Sequence, residues 1–137
     1  MEKMSMSTED YLEAVVELGG TVSEPVRSVD VAEFLDVSKA SVSKAVSVLK
    51  AQGYVSQEPY GGITLTPDGF RYGSSVLNRH RLLFAFLTQV LGVDEQLANS
   101  EACKMEHAIS DESFEHWIAY GERMHLKLGP LPRTPRA

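Results

Sequence analysis

Ser28-Val29-Asp30-Val31-Ala32-Glu33-Phe34-Leu35, Asp36-Val37-Ser38 and Lys39-Ala40-Ser41-Val42-Ser43-Lys44-Ala45-Val46-Ser47-Val48-Leu49-Lys50-Ala51-Gln52-Gly53 follow one another without interruption. In the first segment Val29, Ala32 and Leu35 recur at helical spacing behind Ser28, a good capping residue. In the last, Val42, Ala45, Val46 and Leu49 form an apolar stripe, and Gly53 is the stop. A turn of about three residues separates the two helices, which is the helix-turn-helix pattern. After Gly53 the period changes. Tyr54 to Glu58 and Ile63 to Thr66 alternate apolar and polar around Pro59-Tyr60-Gly61-Gly62, which predicts a two-stranded hairpin with a Gly-rich tip. A hairpin placed there is a wing, and the unit reads as a winged helix.

Working outward, Ser7 to Leu18 predicts a first helix. Ser7 is its cap, Asp10 stands in the capping-box position, and Tyr11, Leu12, Val15, Val16 and Leu18 are its apolar face. Gly19-Gly20 ends it. Pro67 opens a long helix expected to reach about Leu91, where Gly92-Val93-Asp94 breaks it. A short helix near Asp94–Ala98 is expected next, then helices over Ser100–Ile109 and Asp111–Tyr120. Residues 129–137 have no periodicity and are expected to fray. The fold class is mostly α: a winged-helix DNA-binding domain over residues 1–74 and a helical domain over 75–137, sharing the long helix from about residue 67.

The 137 residues hold 13 basic and 19 acidic side chains, a net charge of −6. Taken whole, that argues against a nucleic-acid partner. The distribution reverses the conclusion. Residues 1–26 hold one basic and six acidic side chains, net −5; residues 27–81 hold seven and five, net +2; residues 82–137 hold five and eight, net −3. Val37 to Gln57 carries Lys39, Lys44 and Lys50 with no acid at all. Screening at cellular salt limits distant charge to roughly 8 Å, so a locally basic helix can still engage DNA. The single cysteine, Cys103, leaves no internal disulfide and fits a reducing cytoplasm. No apolar run approaches the ~18–20 residues that span a bilayer.

On the second helix of the motif, Ser38, Lys39, Ala40, Ser41, Ser43 and Lys44 are the candidates for the DNA groove. Arg27 and Tyr60 on the wing tip are candidates for its backbone. Tyr60 has packing as its plainer alternative, and the lysines have a solvated face as theirs.

Metal-capable side chains also fall on single helical faces. Asp10 and Glu13 are i and i+3; Cys103, Glu106 and His107 are i, i+3 and i+4; His80 lies on the long helix. Taken singly, each has a plainer reading. Asp10 completes a cap, Glu13 is solvated, His80 is structural and Cys103 is a small core residue. The Cys103-Glu106-His107 triple resists that treatment, because three ligand types share one face. Glu112, His116, Glu122 and His125 sit in a polar stretch and read as surface.

Thr8 to Glu13, Leu77 to Leu83, Leu91 to Asp94, and Glu101 to Asp111 together resemble the diphtheria toxin repressor / manganese transport regulator family of bacterial metal-dependent repressors. The resemblance runs in order over roughly residues 7–120. It implies a homodimer on a double-stranded DNA operator, metal between the two domains, and neither membrane nor small-molecule substrate. It also implies Asp10, Glu13, His80, Cys103, Glu106 and His107 as ligands of Mn(II) or Fe(II). Asp10 and Glu13 match the manganese-responsive branch, where the iron-responsive branch has Met for Asp10. Cys103 matches the iron-responsive branch, where the other has Glu. The iron branch's second site uses a carboxylate and a His at the positions of Phe84 and Asn99, so that version is expected to be absent. The chain ends where longer members would begin an SH3-like domain.

With a Cys103 thiolate, Asp10, Glu13 and Glu106 bring the ligand charge to −4, which two divalent cations would balance. The thiolate pulls towards Fe(II), Co(II), Ni(II) or Zn(II), the carboxylates towards Mn(II). Two other function classes compete. A winged-helix regulator answering to a small molecule or a thiol oxidant needs no metal. A binuclear metallohydrolase needs an open coordination position and a substrate cleft, and leaves the wing unexplained.

Overall fold

The computed structural model describes residues 6–132. The chain forms two compact units that divide between Leu77 and Asn78.

The first unit begins with α1 (Met6–Glu17), α2 (Ser28–Leu35) and α3 (Lys39–Ala51). Helix α1 starts one residue earlier than its sequence suggests. Ser7 therefore lies inside the helix and not at its cap, and Asp10 stands beyond the first turn. Ser28 does not cap either. Arg27 occupies the N-cap position of α2 without a side-chain bond, and the Ser28 hydroxyl instead accepts from Gln57 Nε2 at 3.4 Å. Helix α3 is capped by Ser38, whose Oγ accepts from Ser41 N–H at 3.1 Å. Between them Asp36 takes the left-handed conformation, φ 55°, and Val37 N–H returns to the Ala32 carbonyl at 3.0 Å. Those two features make the tight turn. Gly53, φ 83°, ends the α3 region as expected.

Strands β1 (Val55–Gln57) and β2 (Ile63–Leu65) pair antiparallel with Val55 opposite Leu65. Val26 adds a bridge the alternation gave no sign of, exchanging both backbone bonds with Ile63 at 2.7 and 2.8 Å. Leu12, Val15, Val31, Leu35, Val42, Val46, Leu49, Val55, Ile63 and Leu65 form the core of this unit. Helix α4 (Pro67–Ala85) begins beneath the wing. Thr66 Oγ1 accepts from Gly69 N–H at 3.0 Å, and Tyr72 meets Tyr54 edge to face, centroids 5.4 Å apart.

The second unit holds the end of α4, a π-helical turn (Phe86–Val90), α5 (Glu95–Ala108) and α6 (Asp111–Arg123). The expected long helix thus changes winding at Phe86 before Gly92, φ 70°, ends it. Asp94 caps α5 by accepting from Gln96 and Leu97 N–H. The two helices expected over residues 94–109 are one: Ser100 lies inside α5 and caps nothing. Ser110 caps α6, accepting from Ser113 N–H at 3.1 Å. Leu82, Leu83, Leu87, Ala98, Ala102 and Phe114 make the second core, with Trp117 edge-on to Phe86 at 5.1 Å. Of the tail, Leu131 is buried, and residues 133–137 lie outside the described residues. No helix among the described residues is long and apolar enough to cross a membrane.

Candidate metal centre and nucleic-acid interface

Helical spacing decides which side chains meet in the second unit. On α5, Cys103, Glu106 and His107 project from one face, and their ligand atoms all lie within 4.8 Å of one another. All three are buried, at 6%, 2% and 6% exposure. From α4, His80 joins them fully buried, its Nδ1 3.1 Å from Glu106 Oε2. The other Glu106 oxygen lies 3.3 Å from His107 Nε2. A carboxylate flanked by two imidazoles and a thiol, all withdrawn from water, is costly unless a positive charge is shared among them. Carboxylate, imidazole and thiolate are the donors that first-row divalent cations take. The residues present fit such an ion.

Asp10 and Glu13 lie on α1 of the first unit, Asp10 partly and Glu13 fully buried. The solvated reading of Glu13 is therefore wrong, while Cys103 is buried, as its plainer reading had it, beside Glu106 and His107. Glu112, His116, Glu122 and His125 are exposed, as their polar surroundings suggested.

Two neighbours of the cluster make contacts the sequence did not announce, although Asn99 was noted there as unable to replace a ligand histidine. Asn99, 3% exposed, places Oδ1 2.7 Å from His80 Nε2. Its signal was available: Asn99 lies one turn before Cys103 on the same face of α5. Arg79 donates to the carbonyls of Glu106 and Ile109 at 2.8 and 2.7 Å and to Asp111 at 2.7 Å. It also lies over the Phe114 ring, 4.8 Å from the centroid. Its place in the Leu77 to Leu83 stretch did not show which groups it would bond.

In the first unit α3 separates its faces cleanly. Val42, Ala45, Val46 and Leu49 are buried, while Ser38, Lys39, Ala40, Ser41, Ser43 and Lys44 are all exposed. Within that row Ser38 Oγ donates to Ser41 Oγ at 3.0 Å. Arg27 makes two 3.2 Å contacts with the Asp30 carboxylate. Those hydrogen bonds and the charge of Asp30 hold the guanidinium above its ordinary pKa. At the wing tip Gly61 N–H bonds the Glu58 carbonyl at 2.8 Å, and Tyr60 between them takes φ 61° with its side chain fully exposed. That rules out packing as the role of Tyr60. A left-handed conformation costs a non-glycine residue about 1–2 kcal/mol.

Comparison with known proteins agrees with both halves. Residues 3–63 match the iron dependent repressor N-terminal DNA binding domain, and residues 66–125 match the iron dependent repressor metal binding and dimerisation domain. An uncharacterised HTH-type transcriptional regulator of Methanocaldococcus jannaschii is 38% identical over 125 residues, 91% of this chain and 100% of the relative. The transcriptional regulator MntR of Salmonella typhimurium is 34% identical over 115 residues, 84% of this chain and 72% of that protein. The solved structure of the manganese regulator SloR superposes with a TM-score of 0.74 at 28% identity. It covers 98% of this chain, which in turn spans 64% of that one.

Proposed function

The chain belongs to the iron-dependent repressor family, and from that premise we propose that it is a metal-dependent transcriptional repressor. It senses Mn(II) or Fe(II), binds operator DNA as a homodimer in the cytoplasm, and controls genes of metal homeostasis. The observation that carries the metal half is the Glu106 carboxylate held between His80 and His107 with Cys103 in the same buried cluster. A regulator answering to a small molecule or thiol oxidant would have no use for a carboxylate held between two imidazoles.

We assign His80, Cys103, Glu106 and His107 as ligands from the second unit, and Asp10 and Glu13 as ligands from the first, for two ions per chain. A bound divalent cation supplies the charge that offsets this acidic set. Each residue has a separable part. Glu106 presents two oxygens, one towards each histidine. His80 and His107 supply neutral nitrogens on opposite sides of it. Cys103 supplies the one soft donor. Asp10 and Glu13 on α1 would make coordination depend on the DNA-binding unit as well. Metal then selects one arrangement of the paired recognition helices, and its effect is bounded by its differential affinity for that arrangement. A dimer reading successive major grooves needs those helices ~34 Å apart.

For DNA, support comes from the exposed, acid-free face of α3 and from the wing. Lys39 and Lys44 contact phosphate or guanine, Ala40 a thymine methyl, and Ser38, Ser41 and Ser43 phosphate or base edges. Arg27 and Tyr60 contact the backbone. For the homodimer, the second unit exposes Leu91, Leu97 and Ile118 at 59%, 53% and 42%.

Metal uptake tests the reading at its base. The purified protein, titrated with Mn(II), or with Fe(II) under anaerobic conditions, should take up metal, and Glu106→Gln should lose most of that uptake. A wild-type protein that takes up neither ion would overturn it.

A further inference from the structure

Asn99 is a buried polar residue of α5, one turn before Cys103. It is almost wholly buried, and its Oδ1 lies 2.7 Å from His80 Nε2. A carboxamide oxygen only accepts, so with Oδ1 in this orientation the bond is made by the tautomer whose facing ring nitrogen carries the proton. A neutral imidazole with its proton on Nε2 presents its lone pair at Nδ1. That nitrogen is the one on the Glu106 side, 3.1 Å from Oε2.

We propose that Asn99 is a positioning residue that fixes His80 in its Nε2–H tautomer and so makes Nδ1 the metal-donating nitrogen. The proposal rests on the metal reading above and deepens it. Both partners sit in the second unit, on α4 and α5, and both are buried. Hydrogen-bonded partners of this kind orient ligating histidines, and their loss costs about 10- to 100-fold in metal affinity. A hydrogen-bond acceptor also discriminates between ring orientations: a flipped His80 would turn a carbon toward Oδ1 and forfeit the bond.

The test uses the full chain loaded with Zn(II), a diamagnetic probe. Long-range proton–nitrogen NMR on labelled protein should report His80 with its proton on Nε2 and metal on Nδ1. Asn99→Leu, close in volume and without an acceptor, should weaken Zn(II) binding about 10- to 100-fold in competition with a chromophoric chelator. Asn99→Asp, which keeps the acceptor, should restore most of that affinity. Wild-type His80 protonated on Nδ1, or Asn99→Leu binding Zn(II) as tightly as wild type, overturns the proposal. The tautomer measurement on wild type stands even if Asn99→Leu fails to fold. Wild type that does not bind Zn(II) at all overturns the metal reading itself, an outcome distinct from a failure of Asn99 alone.

Discussion

The Arg79 guanidinium donates to the carbonyl oxygen of Glu106 at 2.8 Å, so the residue preceding His80 on α4 holds the backbone of the residue His80 faces across the cluster. One side chain thereby satisfies carbonyls at the C-terminal end of α5, where four lack helical partners. It also reaches Asp111 at the start of α6, a side chain that is fully exposed. The two halves of this clamp carry different weight. Arg79→Met leaves the Glu106 and Ile109 carbonyls without their donor and should cost at least about 1–3 kcal/mol. Asp111→Ala removes only an exposed partner and should cost less than about 1 kcal/mol. Urea unfolding of the metal-free variants measures both. Equal losses would show that the clamp acts through the ion pair.

Gly69 lets α4 pass the backbone beneath the wing. A Cβ there would lie 1.8 Å from the Tyr54 carbonyl oxygen, which already accepts from Thr66 N–H at 3.0 Å. Gly69→Ala should therefore destabilise the first unit by at least about 1–3 kcal/mol, the cost of overpacking. At Gly129 an added Cβ meets nothing within 4 Å, so Gly129→Ala serves as the control and should leave the melting temperature unchanged.

Cys103 is the one soft donor in the cluster. Replacing it by a carboxylate should shift selectivity towards Mn(II) relative to Co(II) or Zn(II), because hard donors suit the hard ion. The ratio of Mn(II) to Co(II) dissociation constants for Cys103→Glu against wild type measures the shift. An unchanged ratio would remove Cys103 as a selectivity element.

Lys39 and Lys44 lie on the exposed face of α3. Every phosphate that the protein neutralises adds ~0.9 to the steepness with which log affinity falls against log salt. Lys39→Ala and Lys44→Ala should each weaken binding at all sequences and flatten that slope by about one. A variant with unchanged slope would place its lysine away from phosphate.

The winged helix was legible because each of its signals is local. The Val42-Ala45-Val46-Leu49 stripe, the Ser38 cap and the alternation on either side of Pro59-Tyr60-Gly61-Gly62 depend only on neighbours in sequence. The errors arose where a local signal competed with context. Ser28 and Ser100 are good capping residues, but Arg27 holds the cap of α2 and Asp94 begins α5 early enough to enclose Ser100. The change of winding at Phe86 has no residue that announces it. The ligand triple on α5 showed in its spacing, whereas the roles of Asn99 and Arg79 depend on α4 and α5 meeting, which no single stretch encodes. The −6 net charge, evidence against DNA when taken whole, resolves into an acid-free α3 and acidic segments that include the buried Glu106 and Glu13.

The central claim is that metal governs DNA binding. A fragment selected from genomic DNA by the Mn(II)-loaded protein, labelled and titrated by fluorescence anisotropy, tests it most directly. Binding should be tight with Mn(II), or with Fe(II) under anaerobic conditions, and should fall at least about tenfold in chelator, a coupling of ~1.4 kcal/mol or more. Equal affinity with and without chelator would contradict the account.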